Sequence, residues 1–202
     1  SDLLVNNNTF KPSHIGNHLN VAMWQCGKET KKVRRLFGAF EIIAYLCRKI
    51  KEMRAVIQRV SHASVTIEGT VKSLIQQGFL ILLGICDEDT MEDVEWLVKK
   101  IANLRVFSDE NDVMNRSILD VQGEALVVSQ FTLYASYKKG NRPSWFRAGS
   151  HEHSIPLYEA FCRDLSEAIG KPVGTGEFGA DMKVELLNDG PVTICMDTRN
   201  KE

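Results

Sequence analysis

Phe79-Leu-Ile-Leu-Leu-Gly-Ile85 is an unbroken apolar run. A run of this length reads as a strand covered on both faces, which demands a sheet with other layers packed on it. A helix should follow. Thr90 can cap that helix with Asp93 three residues on, and Val94, Leu97, Val98, Ile101 and Leu104 then share one face. Before the run, Arg54–Val60 and Ala63–Ile67 are β-branched and partly alternating, and Glu68-Gly69 supplies a turn toward Val71. After it, Leu104–Phe107 and Ala125–Leu133 read as strands, with Gly123 turning the chain into the second. Helix 155–169 presents Leu157, Tyr158, Phe161, Leu165 and Ile169 inward and stops at Gly170, with Pro172 beyond. Met182–Leu187 alternates strictly, and Val192–Met196 is expected to pair with it or near it after a tight turn at Gly190-Pro191. This order predicts an α/β fold: a single domain with a mixed β-sheet packed against two main helices.

Charge divides the chain just before Met53. Residues 1–52 carry nine Lys/Arg and four Asp/Glu, whereas residues 53–202 carry 16 and 22. The main body is acidic, so a nucleic-acid partner has to be met by a local basic patch. Residues 1–52 are read as a basic, poorly ordered leader distinct from the domain at 53–202, in preference to an RNA or membrane contact arm, with a short amphipathic helix confined to 31–50. Five cysteines without a C-x-x-C pair point to a reducing, cytoplasmic compartment. The longest apolar run, Leu36–Cys47, is broken by Glu41 and falls short of the roughly 20 residues of a membrane span. No membrane partner and no secretion are expected.

Several catalytic machines are excluded by their missing motifs: the P-loop, H-E-x-x-H and G-x-S-x-G are all absent. Gly174-Thr-Gly176 and Gly179 do not complete a dinucleotide fingerprint. His151-Glu-His153 lacks a third ligand at useful spacing, so no metal and no cofactor are expected. Three segments remain. Ser129-Gln-Phe-Thr132 places polar groups at the end of an apolar strand, where they either satisfy the backbone or line a ligand pocket. Gly190-Pro191 forces a turn whose peptide bond is cis or trans. Lys138-Lys-Gly-Asn-Arg-Pro-Ser-Trp-Phe-Arg147 interleaves cations with aromatics, as a seat for an RNA end would.

Together with Met53-Arg-Ala-Val-Ile-Gln-Arg-Val60, these segments resemble the D-aminoacyl-tRNA deacylase (D-tyrosyl-tRNA deacylase) family over residues 53–202. Ser129-Gln-Phe-Thr132 is similar to the family's S-Q-x-T motif, Asn188–Thr193 to its N-x-G-P-V-T motif and Lys139–Ser144 to its K-G-x-R-P-S loop. Gly176–Met182 also matches the family's approach to the last strands. Trp145-Phe146 and His151 depart from the pattern, where relatives often have a single aromatic and a helix-starting proline.

The resemblance implies a deacylase-like fold and a homodimer with active sites at the subunit interface. It implies hydrolysis of D-aminoacyl-tRNA and of mischarged glycyl-tRNA. Phe131 and Thr132 would supply backbone N–H groups to the oxyanion. Ser129 and Gln130 would hold substrate, and Phe178 and Met182 would shape the pocket for the terminal adenine. Gly190 and Pro191, joined by a cis bond and fixed by Arg59, would reject L side chains from within the partner's pocket. Lys138, Lys139, Arg142 and Arg147 would meet the tRNA. A Thr132 nucleophile is the alternative to assistance from the RNA's own 2′-hydroxyl. A noncatalytic RNA-end binding module is the alternative function.

Overall fold

β1 (Arg54–Ile67) is the spine of the sheet, and one of its edges takes β8 (Met182–Asp197) antiparallel along almost its whole length. The other edge must therefore serve two partners. Residues 54–60 pair with β3 (Gly78–Gly84), and residues 63–67 pair with β2 (Thr70–Ile75). The computed structural model describes residues 53–201, within a compact unit spanning Ile50–Glu202. The helix expected at 31–50 lies outside the described residues.

From β3 the sheet continues in parallel to β6 (Glu124–Ser129) and β7 (Gly174–Thr175). β2 meets β7 through Ser73, whose Oγ donates to the Thr175 carbonyl (2.6 Å) and accepts from its N–H (3.1 Å). The sheet is thus strongly curled. β4 (Phe107–Ser108) and β5 (Met114–Arg116) form a separate short ribbon.

Curling explains the apolar run. Phe79, Ile81 and Leu83 face the helical layer, where α1 (Met91–Ala102) and α2 (His151–Ile169) pack. Leu80 faces the other side, into a smaller core with Val60, Val65, Leu126 and Val128. Val94, Leu97 and Ile101 of α1 are fully buried, each contributing roughly 2 kcal/mol. The capping box read from Thr90 and Asp93 is present, with the Thr90 N–H donating to Asp93 Oδ2 at 2.9 Å.

Four elements differ from the sequence reading. Leu104 closes the turn just beyond α1, its N–H bonded to the Ile101 carbonyl, so the strand begins only at Phe107. The strand expected to reach Leu133 stops at Ser129 and gives way to a 3-10 turn, Phe131–Tyr134. α2 starts at His151 rather than near 155, because the Ser150 N–H donates to Asp87 Oδ1 (2.7 Å) and starts the helix one turn ahead of Pro156. Finally, residues 182–187 and 192–196 are not paired with each other: they are one strand, both parts lying on β1. Asp189–Val192 steps out between the pairs Asn188↔Val60 and Thr193↔Gln58 without reversing the chain.

Candidate active site

β3 and β6 run parallel and end together, Leu83 opposite Ser129. The Gln130 N–H extends the ladder by one bond to the Leu83 carbonyl (2.7 Å), after which the chain bends into the 3-10 turn. Gly84 makes this bend possible: a β-carbon there would meet Tyr134 Cε2 at 3.1 Å and the Gln130 carbonyl at 3.2 Å. The turn is pinned from below. Tyr134 is buried and donates from its hydroxyl to the Gly84 carbonyl (3.3 Å), while Arg54 Nη1 donates to the Leu133 carbonyl (2.9 Å). Arg54 and Arg147 lie over the Tyr134 ring, 5.1 and 6.0 Å from its centroid.

As the first two residues of the turn, Phe131 and Thr132 have backbone N–H groups with no acceptor inside it. Gln130 Nε2 donates to Thr132 Oγ1, so an amide rather than a base holds that hydroxyl. Beside the strand end is a cavity of about 550 Å³. Ser129, Gln130 and Phe131 line it from one side, and Phe178 and Met182 from the other; Thr132 does not. Phe178 is wedged edge-on against His151 and Tyr158, with centroids 5.4 and 6.0 Å away.

The remaining candidates lie elsewhere. Ser136 and Ser144 exchange backbone hydrogen bonds of 2.8 and 2.9 Å, tying the base of the basic loop. Lys138, Lys139 and Arg142 are exposed at its tip, and Arg147 is half-buried against Tyr134. The Gly190-Pro191 bond is cis. Arg59 Nε donates to the Asp189 carbonyl (3.0 Å) and pairs with its carboxylate (3.2 Å), while Nη1 donates to the Val106 carbonyl. Asn188 closes the excursion, accepting from the Val192 N–H (2.9 Å) and donating to Thr193 Oγ1 (3.0 Å). Gly190 has φ +131°, and a β-carbon would fall 2.8 Å from Val192 Cγ2 and 3.0 Å from Arg59 Nη2. Neither Gly190 nor Pro191 lines the cavity. β8 leaves it at Met182 and reaches Gly190 eight residues later, roughly 26 Å along an extended strand.

A sequence model of D-Tyr-tRNA(Tyr) deacylase matches residues 56–197, well over half of the chain. The chain belongs to the D-Tyr-tRNA(Tyr) deacylase family. Proteins named D-aminoacyl-tRNA deacylase from Phocaeicola vulgatus and Parabacteroides distasonis are 71% and 63% identical over 150 residues, which are 74% of this chain and 100% of each relative. Among solved structures, a c-Myc DNA unwinding element binding protein superposes with TM-score 0.68 at 44% identity, covering 71% of this chain and 97% of that one. A probable eukaryotic D-amino acid tRNA deacylase shares the fold at 17% identity, with TM-score 0.63 and coverage of 72% and 99%.

Trp145 and His151 also line the cavity of this deacylase family member and were not among the expected site residues. Trp145 stacks edge-on to Phe131 (5.5 Å) and His151 backs Phe178, so both departures from the family pattern are cavity walls. Their signal was the departure itself. His151 and His153 part company, since His153 Nε2 donates to the Asp89 carbonyl at 3.0 Å. Among the described residues no three His, Cys, Asp or Glu side chains converge as a metal site, and no helix is long and apolar enough to cross a membrane. Burial pushes the Cys162 thiol up to about 12, consistent with its packing role on α2.

Proposed function

We propose that this chain hydrolyses the ester joining a D-amino acid to the 3′-terminal adenosine of tRNA, releasing free D-amino acid and tRNA. The carrying observation is the pair of N–H groups on Phe131 and Thr132, without an acceptor inside their turn, at a strand end beside a cavity of about 550 Å³. Water attacks the ester carbonyl carbon, the two amides stabilise the tetrahedral oxyanion, and the bond to the 3′-oxygen breaks as that oxygen takes a proton. Phe178 and Met182 enclose the adenine, while Ser129 and Gln130 orient the aminoacyl group. The RNA's 2′-hydroxyl assists the attack: the Thr132 hydroxyl accepts from an amide, and an amide cannot activate a nucleophile.

Gly190 and Pro191, fixed by Arg59, judge handedness. Their distance from the cavity within one copy supports a homodimer in which each copy's excursion enters the partner's site, where backbone carbonyls exclude an L side chain. Glycine has no side chain to exclude, so mischarged glycyl-tRNA is also a substrate. Lys138, Lys139, Arg142 and Arg147 meet the acceptor end, and aminoacyl-tRNA as substrate sets the work in the cytoplasm. Hydrolysis of matched D- and L-aminoacyl-tRNA tests the reading: rapid release from the D ester alone is expected. An intact D ester would leave a noncatalytic RNA-end binding module, and equal rates would refute the chirality filter. Sedimentation of the pure protein as a monomer at assay concentration would refute the shared site.

A further inference from the structure

Behind the cavity, the turn that leaves β3 touches both of its walls. The Gly149 N–H donates to the Ile85 carbonyl (2.9 Å), Ser150 N–H to Asp87 Oδ1 (2.7 Å), and His153 Nε2 to the Asp89 carbonyl (3.0 Å). These bonds seat Gly149 and the start of α2 at His151, both of which line the cavity. On the other side, the Tyr134 hydroxyl donates to the Gly84 carbonyl and neighbours the Cys86 thiol, so the same turn seats the 3-10 segment.

One side chain shapes this turn. Asp89 is 1% exposed, and both of its oxygens accept: Oδ2 from the Cys86 N–H (2.8 Å) and Oδ1 from the Cys86 thiol (3.3 Å). We infer that Asp89 is a positioning residue for deacylation, its ionised carboxylate holding the Cys86–Asp89 turn so that the 3-10 segment and the start of α2 keep their working separation. This rests on the deacylase reading of the cavity.

The chemistry of the pair makes the role dependent on ionisation. A proton on Oδ1 makes that oxygen a donor, so the Cys86 thiol must turn its own hydrogen away and accept, which resets the bonding that shapes the turn. Burial pushes the Asp89 carboxyl up to about 6, aided by Asp93 of α1 and opposed by the Cys86 bonds and by Arg199 of the C-terminal segment. Tyr134 faces it from the 3-10 segment and His153 from α2, through the Asp89 carbonyl. Asp89→Asn places an amide donor where the added proton would be, so the variant imitates the protonated enzyme at every pH.

The test is kcat/KM for D-aminoacyl-tRNA between pH 4.5 and 8.5, expressed as the ratio of wild type to variant, which cancels the substrate's own titration. For Asp89→Asn the expected ratio is roughly tenfold above pH 7, falling toward one as the pH drops through about 6. A flat ratio of one, in a variant shown by circular dichroism to be folded, overturns the assignment. His153→Ala severs the link to α2 but leaves Asp89 in place: a slower enzyme is expected, with the Asp89-dependent inflection retained. If the inflection vanishes in His153→Ala and persists in Asp89→Asn, the titrating group is the histidine and the inference fails. Should Asp89→Asn not fold, Asp89→Ser replaces it in the ratio: a ratio that falls toward one through about pH 6 supports the inference, and a flat ratio refutes it. An inactive wild type would refute the deacylase reading itself, so the two failures are distinguishable.

Discussion

Regular strand pairing gives way at Gln130–Tyr134 and at Asp189–Val192, and these two segments are held in opposite ways. At the first, the backbone turns inward: Tyr134 is buried, Arg54 caps the Leu133 carbonyl, and Leu83 takes the last ladder bond. At the second, Gly190 and Pro191 are exposed, and Arg59 with Asn188 stiffens them from the base. The first is a wall, complete within one copy. The second is a braced tip that stands outside the cavity.

Gly190→Ala strikes the tip hardest. With φ at +131° and Arg59 only 3.0 Å from the new carbon, the tip must shift or let go of its brace. Discrimination between D- and L-aminoacyl-tRNA is expected to fall on the order of 100-fold, the scale of a misplacement near 1 Å. The wall should be untouched, so the melting temperature moves by only a few degrees. An unchanged D/L ratio would break the contrast.

Replacing Lys138, Lys139 and Arg142 with Ala removes exposed charge outside both segments. KM should rise roughly tenfold, and the salt dependence should flatten by about 2 in the log–log slope, near 0.7 for each lost phosphate contact. Single-turnover hydrolysis at saturation should persist. A lost single-turnover rate would mean that the loop shapes the wall rather than the RNA contact.

Asp89 links the wall to stability, with a defined sign. Its carboxyl is raised from 3.8 to about 6, so the folded state holds the proton more tightly than the unfolded chain. This group's contribution is therefore full below pH 3.8 and is lost as the pH rises through about 6. Asp89→Asn lacks that loss. Urea titrations should show the variant gaining on wild type between pH 4 and pH 7, by at most roughly 3 kcal/mol. A gain in the opposite direction would show that Asp89 is stabilised as the anion.

Much of this was legible beforehand because local chemistry decided it. Thr90 with Asp93, Glu68-Gly69 at the hairpin, and Gly170 at φ +67° act through their own neighbours. The wall was not legible. Phe131-Thr-Leu-Tyr134 has the composition of a strand, and only the buried Tyr134 and the approach of Arg54, 80 residues upstream of it, turn it into a 3-10 segment. The tip was half legible: Gly190-Pro191 announced a turn, but the pairing of both flanks with β1 keeps the chain moving in one direction. Trp145 and His151 carry no spacing signal, because they meet the cavity from separate elements.

Thr132→Ala is the smallest and sharpest perturbation of the wall. It removes the hydroxyl held by Gln130 but keeps the backbone N–H assigned to the oxyanion. If the wall works through its backbone, the single-turnover rate on D-aminoacyl-tRNA should stay within about threefold of wild type, well under the 100-fold or greater loss typical of a missing oxyanion donor or nucleophile. Rapid quenching of the wild-type reaction followed by mass spectrometry provides the opposing observation. An acyl group covalently attached at Thr132 would make the side chain the nucleophile and reduce the strand-end amides to a supporting role.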